Sequence, residues 1–493
     1  MGYAKDSRPI SMPLTVLLVI AGAATLCLAA EPLALLTLHI QRNYNEGWGA
    51  LFTDIAMAGG DLYPPPGGFI ANNYPPLSFY VVGALGPLIP DHVIALRVLA
   101  LASYLAVTAC VWRAVLLLSG SARWSAASAL LFLLYGVSVY QGYFAMADPQ
   151  WLAHAVAAPA LLLLLRRPVA ELPARHIAFA CLLMLVSGLI KHNLLALPVA
   201  TTIWLAWHDR RRLAIWLAAS AVGAGAIIAA LLALYGSDVF ATVAGHQRTL
   251  RLDNVIYLPW EQRALLPLGA GALLLLRRWR DPRVRLVLVF AVVAGLWGVF
   301  QRLGQGVAYN AQFEMFIALA VAAGAGVAAV DHDGWLRPRW LGWMLAAVVF
   351  LPLALQAGSM LTQAPGRLAR LPDNLRNWEA MTDMVRTQPG PVACERLAVC
   401  YWADKGFELD FFNYGQQLHE GTSSPAEFEA LLRSRRLRLI LVETRMFDPD
   451  GWTVFPRPSI EDMLRYYRPE PAPVDGYLLM RPLATPDSPA GTP

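Results

Sequence analysis

The chain of 493 residues is 57% hydrophobic and 15% charged, with a mean hydropathy of +0.47 and a formal net charge of only +5. Soluble domains carry roughly 25% charged residues, so this composition excludes an ordinary soluble enzyme. Apolar runs of about 20 residues recur, the length that crosses a bilayer's hydrocarbon, in place of the ~10-residue alternating segments of a membrane barrel. The first run follows Lys5 and Arg8 and resumes beyond Glu31, which reads as an uncleaved first helix rather than a signal peptide. A large outer loop follows, residues 31–92, in which the apolar but short, proline-bounded stretch 77–90 reads as interfacial. Further crossings are expected at 93–118, 124–145, 150–165, 176–190, 193–207, 213–235, 263–276, 286–300, 311–330 and 340–359. Arginine and lysine mark cytoplasmic loops. The clusters Lys5/Arg8, Arg166/Arg167/Arg175, Arg210/Arg211/Arg212, Arg277/Arg278/Arg280/Arg283/Arg285 and Arg337/Arg339 all fall inside if 77–90 does not span. The fold class is therefore a polytopic α-helical membrane protein of about eleven crossings, with the N-terminus in and the C-terminus out.

Beyond about residue 360 the composition changes. The stretches "GPVACERLAVCYW", "KGFELDFFN", "LRLILVE" and "GYLLMRP" read as short strands, and "SPAEFEALLRSRR" as a helix capped by Ser424 with Glu427 at the capping-box position. Residues 361–482 are thus expected to form a small outer, periplasmic α/β domain, and 483–493 a disordered tail. Cys27, Cys110 and Cys181 lie in apolar runs and read as core residues, whereas Cys394 and Cys400 are free to pair if their region faces an oxidising space.

On this topology the unusual polar residues gather on one membrane face. Glu46 follows the first helix and Asp148, in "MADPQ", follows the third. Carboxylates desolvated at such a depth pair, bind cations or handle protons. Asp54 and Asp61 are weaker candidates. Lys191 is one of three lysines against some three dozen arginines, and it ends an apolar helix at the outer face, followed by His192 and Asn193. A compact ammonium there suits a phosphate. Arg302 with Gln301 and Gln305, the loop residues His246, Arg248 and Arg251, and Tyr309, Asn310 and Glu314 border the same side. Each alone reads as an ordinary surface or helix-end group. Together, two acids and several cations beside a lipid phase suit a reaction on a lipid-borne phosphate ester, with a carboxylate taking the proton of an attacking hydroxyl and cations stabilising the departing phosphate. The alternative is a transporter or flippase of a lipid-linked or anionic solute. Transporters place polar groups at the bilayer midplane in broken, repeated helices, and here the helix centres are almost free of charge and no repeat is visible.

The motifs "YNEGW", "YPPPGG…NNYPPLSFY", "RVLALASYLA", "ADPQ" and "KHN", in this order over about residues 1–330, resemble the membrane-embedded GT-C glycosyltransferases, in particular the family-39-like enzymes related to protein O-mannosyltransferases and the lipid A aminoarabinose transferase. The resemblance implies inverting transfer of a sugar from a polyprenyl-phosphate donor to a lipid, glycan or protein acceptor at the outer face of the bacterial inner membrane, with no nucleotide sugar and no nucleic acid. It makes Glu46 the base, although Asn45 stands where the family commonly has Asp, and Asp148 its partner. Lys191, with His192 and Arg302, is expected at the donor phosphate, and Asn45, Tyr74 and Asn310 along the cavity. No Cys/His spacing suggests zinc; whether a divalent cation, Mg or Mn, takes part is left open. Pro75 and Pro76 match the family's first-loop turn, which implies a surface helix from about 77.

Overall fold

The computed structural model describes residues 12–245, 248–333, 340–448 and 453–484. Lys5, Arg8, His246, Arg337, Arg339 and the predicted tail from 485 onward lie outside them. Hydrocarbon offers the backbone no hydrogen-bond partner, so apolar segments close their own bonds as helices. The predicted crossings are helical: α1 (Met12–Ala34), α4 (His92–Ser119), α5 (Ala122–Ser138), α6 (Gln150–Leu165), α7 (Ala174–Ile190), α8 (Ala196–His208), α9 (Arg210–Tyr235), α10 (Leu266–Leu275), α11 (Pro282–Arg302), α12 (Phe313–His332) and α13 (Trp340–Thr387). Among the described residues six stretches are long and apolar enough to cross a membrane: Leu14–Thr37, His92–Ser119, Arg210–Tyr235, Pro282–Arg302, Tyr309–His332 and Val348–Arg386. Helices α5, α6, α7, α8 and α10 have 10 to 17 residues, fewer than the ~20 of a straight span.

Between α1 and α4 lie α2 (Tyr44–Met57) and α3 (Leu77–Gly83). At seven residues α3 is too short to cross, which agrees with an interfacial segment. The small-residue run of α12 packs on α10 with backbones nearly touching: a Cβ on Gly326 would lie 2.2 Å from the carbonyl of Gly271.

Four arginines of the described residues are tied to helix ends and their connecting loops. Arg123 pairs with Asp331, Arg278 with Asp333 at 2.8 Å, and the Arg283 and Arg212 guanidinium groups donate to the carbonyls of Leu117 and Leu172. The chain then folds into the C-terminal domain. The boundary expected at 360 falls inside α13, a continuous helix of 48 residues that contains Pro352, Pro365 and Pro372. The domain is a four-stranded sheet in the order β1-β2-β4-β3, from β1 (Val392–Cys394), β2 (Leu439–Glu443), β3 (Tyr467–Pro471) and β4 (Tyr477–Pro482). β1 and β2 are parallel and the other pairs antiparallel.

Two strand expectations are corrected. Only Val392–Cys394 of the first stretch is extended; α14 (Leu397–Trp402) follows, and "KGFELDFFN" is loop leading into α15 (Phe411–His419). Both segments bury aromatics on a helical face, which short apolar runs do not distinguish from strands. The expected helix is α16 (Pro425–Arg433), with Ser424 at its N-cap position but its side chain making no capping bond. Strand β3 and α17 (Arg457–Tyr466) were not anticipated. Cys394 and Cys400 form a disulfide that ties β1 to α14.

Candidate active site

The site is built at the start of α2. Asn43 caps that helix, accepting the N–H of Asn45 at 3.1 Å, which sets Asn45 and Glu46 in the first turn. Glu46 is fully buried. Its Oε1 and Oε2 accept Arg97 Nε and Nη2 at 2.8 and 2.7 Å, a bidentate pair across α2 and α4. Oε2 also accepts the N–H of Arg42 at 2.7 Å, and Oε1 that of Ala147 at 3.1 Å. Burial pushes the Glu46 carboxyl up, but the charge and hydrogen bonds of Arg97, helped by Arg42, hold it below its ordinary value. Arg97 is saturated in turn by the carbonyls of Leu35, Leu38 and Ile40 at 2.6–2.8 Å.

This buried pair also sets the loop before α6. The Arg42 guanidinium donates to the carbonyls of Gln141, Phe144 and Ala145 at 2.8–2.9 Å. Ala145 takes a left-handed backbone, φ 55°, a conformation that costs a non-glycine residue energy and persists only where its surroundings enforce it. The carboxylate that the loop delivers is Asp148, 1% exposed. Its Oδ1 accepts the N–H of Gln150 at 2.8 Å and its Oδ2 the Asn45 side-chain amide at 2.7 Å. Lys191, 4% exposed, holds its Nζ 3.4 and 3.5 Å from the two oxygens and 3.7 Å from the centre of the Tyr74 ring. The charge of Arg248 acts on both Lys191 and Tyr74; its Nη1 donates to the carbonyl of Gln305 at 2.9 Å and its guanidinium lies 5.7 Å from the centre of the Phe412 ring.

The C-terminal domain reaches this cluster. A Cβ on Gly47 would lie 1.9 Å from the Ala398 nitrogen, so only glycine lets α14 lie against α2 there. Asp410, fully buried, accepts the Tyr44 hydroxyl, Trp48 Nε1 at 3.0 Å, and the backbone and side-chain N–H of Asn413 at 3.0 and 2.7 Å. Burial holds its carboxyl above the ordinary range, with the Tyr44 and Asn413 hydrogen bonds pulling against that.

A match over nearly the whole chain comes from solved structures. ArnT from Cupriavidus metallidurans in the apo state superposes with a TM-score of 0.62 at 14% identity, over 95% of this chain and 98% of that one. The chain has the GT-C fold. ArnT bound to undecaprenyl phosphate matches with a TM-score of 0.56 at 15% identity, over 97% and 100% of the two chains. The archaeal oligosaccharyltransferase AglB from Archaeoglobus fulgidus, in complex with an inhibitory peptide and a dolichol-phosphate, gives 0.50 at 12% identity, over 97% and 75%. Neither a protein-family model nor a curated protein matches the sequence.

Within this GT-C frame the expected residues separate. Asn45, Tyr74, Asp148 and Lys191 share one cluster. Asn310 stands one side chain away, its Nδ2 donating to Gln150 Oε1 at 3.4 Å. The other expected residues, Glu46, His192 and Arg302, each have their own surroundings. Glu46 as base is at odds with a carboxylate whose two oxygens are both filled by Arg97 and backbone N–H groups. His192 has an exposed side chain next to Lys191, and the charges of Lys191 and Arg248 act on it. Arg302 is committed elsewhere, its Nη2 3.1 Å from Glu261 and its Nη1 donating to the Val307 carbonyl at 2.5 Å. Arg251 likewise pairs with Asp253. The partners missed were Arg97, Arg42, Gln150 and Asp410. Arg97 carried a signal, an arginine just inside an apolar run beyond the outer loop, where a buried counter-charge is the physical requirement. Among the described residues no group of three or more His, Cys, Asp or Glu side chains is arranged to hold a metal ion.

Proposed function

We propose that the protein is a glycosyltransferase that moves a sugar from a polyprenyl-phosphate donor to an acceptor hydroxyl at the outer face of the bacterial inner membrane. The observation that carries this reading is the buried Asp148–Lys191 pair, loose at 3.4–3.5 Å, with the charge of Arg248 acting on Lys191, in a chain of GT-C fold. An arriving phosphate competes with Asp148 for the Lys191 ammonium and brings Arg248 into the same anion site. Asp148, released from its cation, then accepts the proton of the acceptor hydroxyl. That oxygen attacks the anomeric carbon, the bond from this carbon to the phosphate oxygen breaks, and the polyprenyl phosphate leaves with its negative charge held by Lys191 and Arg248. Attack opposite the leaving group inverts the anomeric centre. Asn45 orients the carboxylate and Tyr74 seats the ammonium. Glu46 is a positioning residue: with Arg97 and Arg42 it fixes the loop that presents Asp148.

The test is mass spectrometry of envelope lipids, glycans and proteins from a deletion strain carrying either the wild-type chain or Asp148→Asn. The wild-type chain is expected to restore a sugar decoration that Asp148→Asn fails to restore, with transfer down by about 10²–10⁴-fold, the usual worth of a general base. Restoration by Asp148→Asn sinks the assignment. Movement of a solute in proteoliposomes without a glycosylated product would favour the transporter.

A further inference from the structure

Beside Asp148 and Lys191, the ends of four helices bring carboxamides together, and several of their atoms lack a partner. Gln150, 2% exposed, opens α6 and receives the Asn310 amide. Asn193 follows Lys191 by two positions; its Nδ2 donates to Gln301 Oε1 at 2.6 Å while its Oδ1 is buried and unpaired. Gln312, 1% exposed, accepts Gln262 Nε2 through its Oε1 and leaves Nε2 buried and unpaired. Both groups flank one turn of α11. Trp297 Nε1 donates to the Asn193 carbonyl at 2.8 Å, and a Cβ on Gly298 would lie 3.5 Å from Gln312 Cγ. Gln305, four residues past Gln301 and bound through its carbonyl to Arg248, has an unpaired buried Oε1. A buried amide atom without a partner costs about 1–3 kcal/mol, so a concentration of them at one place marks where hydrogen-bonding groups arrive.

We propose that the sugar of the donor is an uncharged polyhydroxyl ring of the neutral hexose class, held by Gln150, Asn193, Gln305, Asn310 and Gln312. This rests on the glycosyltransferase reading above. A carboxamide both donates and accepts, as a sugar hydroxyl does, and carries no charge. An amino sugar needs a carboxylate for its ammonium, and of the acids here Glu261 is held by Arg302, Glu314 by the N–H groups of Ala196 and Leu197 at 3.1 and 3.0 Å, and Asp148, once freed by the phosphate, is spent on the acceptor's proton. A uronic acid needs a further cation; Lys191 and Arg248 are assigned to the phosphate, and Arg302 is already paired with Glu261 and the Val307 carbonyl. The unpaired acceptors Asn193 Oδ1 and Gln305 Oε1 and the unpaired donor Gln312 Nε2 match the mixed donor and acceptor demand of a hydroxylated ring.

The experiment is binding to the full chain in lipid nanodiscs, read by native mass spectrometry. The probes are undecaprenyl phosphate alone and the same lipid carrying glucose, mannose, galactose, 4-amino-4-deoxyarabinose or galacturonic acid. At least one neutral hexose donor is expected to bind about 10-fold or more tighter than the bare lipid and than both charged donors, because a site built for hydroxyls penalises what leaves its amides unpaired. Gln312→Leu and Asn193→Leu should each remove most of that preference while leaving affinity for the bare lipid in place, which also reports that each variant is folded. If both variants lose the bare lipid, the wild-type ranking alone decides. Tighter binding of either charged donor overturns the proposal, as does equal binding of the bare lipid and every hexose donor. Failure of all probes, bare lipid included, instead overturns the donor reading on which it rests.

Discussion

Glu46 and Asp148 are joined through one loop, yet their surroundings give them different work. Glu46 has no exposed surface and faces a guanidinium that pairs with no other carboxylate among the described residues. Removing one partner of a buried pair leaves the other charge uncompensated, so Glu46→Gln is expected to cost about 3–5 kcal/mol of stability. Thermal unfolding in detergent checks this: a variant as stable as wild type but inactive would return Glu46 to the role of base. A second carboxylate makes a pH test. Burial, reinforced by the neighbouring Glu443 carboxylate, pushes the Glu395 carboxyl up to about 7. Its folded value therefore lies above its unfolded one, and the folded domain holds a proton that the unfolded chain has given up. The resulting stabilisation is complete below the ordinary glutamate range and is lost as pH rises through about 7. The melting temperature of the wild-type chain should fall between pH 5 and pH 8 more steeply than that of Glu395→Gln, and parallel curves for the two proteins would refute the assignment.

Helix α2 is the element on which the site depends, and two neighbours hold it from opposite sides. Arg97 of α4 grips its first turn, while the C-terminal domain grips its outer face through Asp410 and through the close approach of α14 at Gly47. Asp410 accepts only donors, so Asp410→Asn turns an amide toward Trp48 or Asn413 where a lone pair is needed. Hydrogen exchange over residues 44–57 should rise about 10-fold or more in that variant, as the loss of roughly 1.5–3 kcal/mol of charged hydrogen bonding predicts. Unchanged exchange would show that α14 alone holds the helix. The helices themselves were legible because hydropathy is local: a run of apolar residues declares a span wherever it sits. The short strands were less so, since "VACERLAVCYW" buries residues on both halves, and only tertiary packing decides that its second half coils into α14. Which polar groups meet was legible only in part. Lys191 and Asp148 stood out because charge at an apolar helix end needs a reason. That Glu46 would be spent on Arg97, and that Asp410 would enter from some 360 residues away, are consequences of packing that no local pattern carries.

Taken as a whole the molecule is polar in opposite senses at its two ends. Arg123 and Arg278 pair with Asp331 and Asp333, and Arg283 and Arg212 donate to the carbonyls of Leu117 and Leu172, at one end, and Asp148, Lys191 and the disulfide-bonded domain occupy the other. The arginine rule puts the first end in the cytoplasm. A Cys394–Cys400 bond independently requires the second end to face an oxidising space, since cytoplasmic thiols are kept reduced. Two unrelated arguments thus predict the same orientation, and they can be tested together. Ser434 is exposed on the C-terminal domain and Arg280 is exposed at the basic end. With Cys27, Cys110 and Cys181 replaced by serine, Ser434→Cys should react with a membrane-impermeant maleimide in intact spheroplasts. Arg280→Cys should react only after the membrane is opened. The converse pattern would put Asp148 and Lys191 on the cytoplasmic face, where a donor phosphate would have to be offered from the inner leaflet, and would leave the disulfide in a reducing compartment that does not sustain it.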